Sequence, residues 1–441
     1  MTRALVQFAT VAVVVCATSA CGASARLPVS AGEGPHPVIP APSPSIIPQL
    51  LYVKGKGWPE GAMPVPAEGL TVKPFATGLD HPRSILVLPN GDVLIAETNA
   101  PKRPENNPGI KGWLTNYFTK RAGGAVPSAN RITLLRDTDG DGVADFRSVF
   151  LADLTSPFGM TLAGDTLYVA NTNSLVKVPY RAGETAISAR PVKVSDLPGG
   201  RLNHHWTKNV IASPDGTKLY VAIGSNSNAA EFGIERETDR ARVWEVDPRT
   251  GAHRDFATGL RNPVGLAWVP ETGKLWVAVN ERDELGSDVV PDYMTALRDG
   301  AFYGFPYSYF GKHVDRRVKP YKPDLVATAV VPDYALGPHT ASLGLAYTDG
   351  NSLAARFQNG MFVAQHGSWN RKPRSGYQVI FVPFTNGVPN GQPIDVFGGF
   401  VRDNGDALGR PVSVAMDRSG TLLVVDDVGN TVWRVTSSRR P

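Results

Sequence analysis

Cysteine is almost missing from this chain: of 441 residues only Cys16 and Cys21 are cysteines. No disulfide can brace a body lying beyond residue 21, and cysteine-ligated iron–sulfur and c-type haem centres have no ligands there. Long apolar runs are lacking too. Ala9–Ala17 is too short to span a bilayer as a resident helix, and no later segment sustains an apolar helical stripe over several turns. The net charge of +5 comes from scattered basic residues rather than a stripe, which gives no nucleic-acid footprint. No GxSxG elbow, no GxxxxGKS or GxxxxGKT loop and no GxGxxG between a strand and a helix occurs, so nicotinamide, flavin and nucleotide-triphosphate chemistry lack support.

Chain punctuation, by contrast, is abundant: 45 Gly and 37 Pro, with aromatics at an ordinary 9%. This favours an all-β, turn-rich protein. One pattern recurs, a Gly-Leu or Pro turn, an apolar strand, a Gly or Asp turn and an alternating second strand. It begins at Gly78, Asp153, His204, Gly259, His339 and Gly409. Spacings of about 50 to 80 residues suit four-stranded blades with loop insertions, and no unit could bury its apolar face alone. A six-bladed β-propeller over 67–437 is expected, with two β-sandwiches as the weaker alternative. Leu70–Ala76 is expected to join the last blade near Thr431–Val435 and close the ring. The long insertions Pro101–Ser128 and Asp283–Asp333 are expected as loops on one face, building a site.

Residues 1–20 carry Arg3, the apolar run and then Thr18–Ser–Ala–Cys21, which reads as an export signal. Cys21 sits where bacterial lipoproteins are lipidated, but Thr18 stands where Leu or Val is usual. A lipid-anchored envelope protein and a free periplasmic or extracellular one therefore both stay open, and a lipid anchor is the only membrane attachment expected. Residues 21–66, including Leu27–Gln49 with its seven prolines, read as an extended linker.

Three kinds of motif carry chemistry. Asp137, Asp139, Asp141 and Asp145 hold loop positions 1, 3, 5 and 9 with Gly142 at position 6, the oxygen-rich spacing of a calcium loop, though Ser148 replaces the usual Glu at position 12. His204 and His205 are adjacent, so they cannot readily share a metal, and one of them facing the axis could act as a base. Arg261 and Asn262 enter the fourth unit, Asn280–Asp283 ends its second strand, and His366–Arg371 and Arg410 mark later unit ends. Convergent cations with few acids suggest an anionic ligand, the bland alternative being a rim of solvated charge.

The stretches RDTDGDGVADFR, NHHWTKN, GLRNPVGLAW, VNERDELGSDVVPDY, QHGSWNR and GRPVSVAMD resemble the soluble pyrroloquinoline quinone-dependent sugar dehydrogenases, in particular the L-sorbosone dehydrogenase-like branch. The resemblance implies a six-bladed propeller that holds pyrroloquinoline quinone and Ca2+ on its axial face, oxidises a sugar at C1 and passes electrons to an external acceptor. It implies His205 as general base and Arg261 beside the reacting quinone oxygen. Asn262, His366, Arg371 and Arg410 would contact the cofactor, and the backbone carbonyls of Glu281 and Arg282 would bind calcium. One departure stands out: Ser225 occupies the place where a glucose-oxidising branch has an Asp that orients the histidine, leaving Asn226, Asn228 or Glu231 as substitutes. Two other functions stay open, a calcium-dependent lactonase using Glu97, Asn171, Asn280 and Asp426 around one axial ion, and a non-enzymatic sugar- or protein-binding propeller.

Overall fold

A computed structural model describes residues 24–44, 51–105, 117, 121–124 and 126–438; the export signal and Cys21 lie outside the described residues. Among the described residues six sheets, each built on four antiparallel strands, surround an axis. In the first blade the strands run outward as Pro82–Val87, Val93–Glu97, Arg131–Arg136 and Phe146–Leu151. The other five innermost strands are Gly159–Ala163, Lys208–Ala212, Pro263–Val269, Ser342–Thr348 and Pro411–Met416. The ring closes as the sequence predicts: Leu70–Ala76 pairs with Thr431–Ser437, placing Val72 opposite Val435.

Burial explains the sequence pattern. Second strands such as Val93–Glu97 and Leu219–Ile223 are buried at every position, because a neighbouring blade covers each face, and they therefore read as continuous apolar runs. Outermost strands such as Val192–Asp196 are largely exposed. Each pair of neighbouring blades shares its own apolar cluster; Leu423 and Val425 of the last blade, for example, meet Val93 and Ile95 of the first. Phe158, Val264, Leu343 and Val412 close the axis between four inner strands. Gly265 permits that convergence, since a Cβ there would lie 2.3 Å from the Leu343 carbonyl oxygen.

Two expectations need correction. The described parts of the expected linker lie on the propeller, not clear of it: Glu33–Gly34 pairs with Tyr334–Pro338, Lys54–Gly55 with Asp406–Ala407, and Val65–Pro66 with Ile394–Gly398. The insertion Asp283–Asp333 is not one loop on one face. It contains Pro291–Ala296, the third strand of its blade, so residues 297–333 leave from the opposite end of that strand.

Candidate active site

The loop entering each inner strand and the end of each second strand lie on one face, and His205, Arg261, Asn262, Glu281, Arg282, His366 and Arg410 gather there. His205 precedes Lys208–Ala212, and Ser225 follows Leu219–Ile223. His205 Nδ1 lies 2.9 Å from both the Ser225 carbonyl oxygen and Ser225 Oγ. A carbonyl can only accept, and the Ser225 hydroxyl proton is directed to the Ser227 carbonyl. Nδ1 therefore carries the proton, and Nε2 keeps its lone pair. Burial, and then Arg261, hold the His205 pKa well below the usual imidazole range, so the ring is neutral at neutral pH.

Ser225 thus orients the histidine through its own backbone, and the three expected substitutes do other work. Asn226 bonds Glu237 and Arg236, Asn228 bonds Arg261 and Asp283, and Glu231 accepts from the N–H groups of Asn228 and Ala229. Gly224 makes the arrangement possible: a Cβ there would lie 2.5 Å from both His205 Cβ and Asn262 Oδ1. His204 is edge-on to His205, and burial, then Arg261, lower its pKa to about 4. Among the described residues, His204 Nδ1 and Asn262 Oδ1 are buried without a hydrogen-bond partner.

Arg261 is 1% exposed, and its guanidinium ties two strand ends together. It donates to the carbonyls of Asn228, Asn280 and Glu281, to Asn228 Oδ1 and to Asp283 Oδ2. Asp283, the last residue of the Asn280–Asp283 strand end, also accepts from Asn370 and pairs with His339. Burial works against its charge, but the contacts with His339 and Arg261 keep its pKa below the usual range.

Glu281 corrects part of the expectation of a free calcium-binding strand end. The Glu281 carbonyl already accepts from Arg261 Nη1 at 2.6 Å. The Arg282 side chain, wholly buried, pairs with Glu281 and Asp315 and donates to the Pro306 and Ser308 carbonyls, fastening the 302–315 excursion. Arg371 is a second correction. It lies under the N-terminal segment, donating to the Leu27 and Pro373 carbonyls, with Asp288 at 3.9 Å.

Arg410 donates to the carbonyls of His366 and Gly367 and lies over the Tyr377 ring. His366 donates from Nε2 to Asp427 Oδ2 at 2.8 Å, which leaves Nδ1 as an acceptor, and burial with Arg410 lowers its pKa to about 3. Arg83 joins the same carboxylate. Burial opposes ionisation of Asp427, yet His366 and Arg83 hold it well below the usual range. Arg83 and Asp427 were missed by the sequence reading. Their signal was position: they sit at the entry to the first inner strand and the end of the last second strand, equivalent to positions recognised in other units.

Two further missed cations surround the base-bearing loop. Arg103, from the first insertion, donates to the Asn203 and His204 carbonyls, and buried Lys208 donates to those of His205 and Trp206. No periodicity marks Arg103, and Lys208 reads as an ordinary strand residue.

The lactonase geometry does not form. Glu97 binds Arg131, Thr133 and the Asp80 N–H; Asn171 binds the Thr155 N–H and Ser174; Asn280 binds Asp292; Asp426 binds both Trp58 and Trp433. Each is taken up by protein partners, Asp426 by Trp58 of the N-terminal segment as well as by its own blade. Among the described residues the only grouping of three His, Cys, Asp or Glu ligand atoms is Asp137, Asp139 and Asp141, within 4.8 Å of one another. Asp145 is not in it, because its carboxylate turns back to Thr138. That loop joins the ends of two strands on the face opposite His205.

A Coprinopsis cinerea protein named pyrroloquinoline quinone-dependent pyranose dehydrogenase is 24% identical over 364 residues, covering 72% of this chain and 44% of that protein. The chain therefore spans less than half the length of that curated relative. The holo form of the PQQ domain of a C. cinerea pyranose dehydrogenase superposes with a TM-score of 0.69 at 20% identity, over 86% of this chain and 98% of that one. A calcium structure of a Trichoderma reesei carbohydrate-active enzyme of family AA12 gives 0.68 at 18% identity, over 85% and 97%. The TrAA12-like family profile matches residues 127–294 and 325–438, most of the propeller, and the chain belongs to the TrAA12-like family.

Proposed function

We propose that this protein is a pyrroloquinoline quinone-dependent dehydrogenase that oxidises the C1 position of an aldose or sorbosone-like sugar and passes electrons to an external acceptor. The observation that carries this is the His205 tautomer, with Nδ1 fixed on Ser225 and Nε2 left as an uncharged base. His205 Nε2 takes the C1 hydroxyl proton, and the low pKa imposed by burial and Arg261 keeps it ready to do so at neutral pH. When bound, the quinone would supply the acceptor for the hydride from C1.

The chain fits a polyanionic organic cofactor on this face. Arg83, Arg103, Arg261 and Arg410 reach it from four different blades or insertions, and Asn262 Oδ1 and His204 Nδ1 stand there without protein partners. Calcium fits the Asp137–Asp141 loop better than the Glu281 carbonyl, where a second cation would meet the Arg261 guanidinium. The Thr18–Cys21 sequence supports export, with or without a lipid anchor.

The test is to add pyrroloquinoline quinone and calcium to purified apoprotein and follow dye reduction with a panel of aldoses and sorbosone. Quinone-dependent turnover that disappears in His205→Ala is expected. No cofactor absorbance change and no dye reduction would sink the proposal.

A further inference from the structure

Four consecutive backbone carbonyls, those of Asn203, His204, His205 and Trp206, all turn toward donors, and those donors are mostly cations. Arg103 Nη1 reaches the first two at 3.3 and 2.6 Å. Lys208 Nζ reaches the other two at 3.2 Å each, and Thr172 Oγ1 adds a bond to Trp206 at 2.9 Å. Arg240 holds the Asn203 side chain from below at 2.9 Å. Among the described residues neither Arg103 nor Lys208 pairs with a carboxylate. A fully buried lysine without a counter-ion is an unfavourable choice for filling space, which methionine would do without desolvating an amine. Its hydrogen bonds go only to the loop that carries His205.

We infer that Lys208 and Arg103 are positioning residues that fix the Asn203–Trp206 loop so that His205 keeps its Nδ1 proton on Ser225 and its Nε2 lone pair toward the axial face. The inference rests on His205 being the base of the proposed dehydrogenase. It gives Arg103, from the first insertion, a role in assembling the base. Because Arg103 also contributes positive charge beside His205, its removal raises the pKa of the ring.

The experiment uses the full chain with Arg103→Gln, Arg103→Lys and Lys208→Met. In apoprotein labelled with 15N-histidine, the wild-type His205 signal, identified by its loss in His205→Gln, is expected as the Nδ1–H tautomer. Arg103→Gln and Lys208→Met are expected to give mixed tautomers, and Arg103→Lys to restore the pure one. In reconstituted enzyme, kcat falls about tenfold with KM nearly unchanged, as for a misplaced catalytic group. The acid limb of the Arg103→Gln pH profile moves to higher pH. If Lys208→Met does not fold, Arg103→Gln decides. Folded variants that keep the wild-type tautomer and kcat overturn the inference. A tautomer shift in a protein that never reduces dye supports the positioning role while the dehydrogenase proposal fails.

Discussion

At the scale of single residues, Ser225 is the instructive position. Its side-chain type suggested a base left unsupported, but orientation of an imidazole needs only an acceptor at the right nitrogen, and the backbone carbonyl of Ser225 supplies one. Ser225→Ala removes one hydroxyl contact and leaves the carbonyl, so kcat/KM should fall by only about fivefold, equivalent to about 1 kcal/mol. Ser225→Asp places a carboxylate beside the imidazolium and stabilises it. The His205 pKa therefore rises, and the acid limb of the kcat/KM pH profile should shift to higher pH than in the wild type. An unmoved limb would show that the side chain at 225 does not face the ring in solution. The types and strand-end places of His205, Arg261, Asn262 and Arg410 were legible in the sequence because they sit at recurring unit boundaries. The partners were not: Arg103 meets His204 across 101 residues, and Arg371, in a motif full of site residues, turns away to Leu27.

At the scale of elements, a single device recurs on the site face. A buried acceptor at a strand end takes a backbone N–H from a loop entering an inner strand. Glu97 accepts from Asp80 N at 2.6 Å, Asn171 from Thr155 N at 3.1 Å and Asp426 from Arg410 N at 2.7 Å. Asp292, from a third strand, accepts from Glu281 N and Ser342 N at 2.8 Å each. Glu97, Asn171 and Asp426 looked like metal ligands in the sequence because oxygen-bearing residues at inner strand ends suit both roles, and only the donors they meet distinguish the two. Asp292→Ala would strand two buried N–H groups, each costing about 1 to 3 kcal/mol. Denaturant unfolding should show a stability loss of about 2 to 6 kcal/mol, seen as a lower midpoint with little change in slope. A neutral result would mean that water replaces the carboxylate. The same local view explains the misread insertion: Pro291–Ala296 is buried at every position as a blade strand, yet Asp292, Thr295 and the flanking proline break its apolar run.

At the scale of the whole molecule, the ring has two faces with separate tasks. The entry loops build the axial site on one, and the hairpin carrying Asp137, Asp139 and Asp141 projects from the other, beside Arg434 of the closing blade. Three carboxylates whose oxygens lie within 4.8 Å of one another repel when ionised, and a bound Ca2+ would relieve that repulsion while favouring the folded chain by RT ln(1 + [Ca]/Kd). Only the three-carboxylate core is available, since Asp145 turns to Thr138, so weak binding is expected. Millimolar calcium should raise the melting temperature of the apoprotein, and chelation should lower it. Asp139→Asn should remove that increment while leaving kcat with saturating cofactor unchanged, because the loop and His205 lie on opposite faces of the disc. A wild-type melting temperature indifferent to calcium would remove the ion from this loop, and a kcat that falls in Asp139→Asn would mean that the two faces are energetically connected through the first blade.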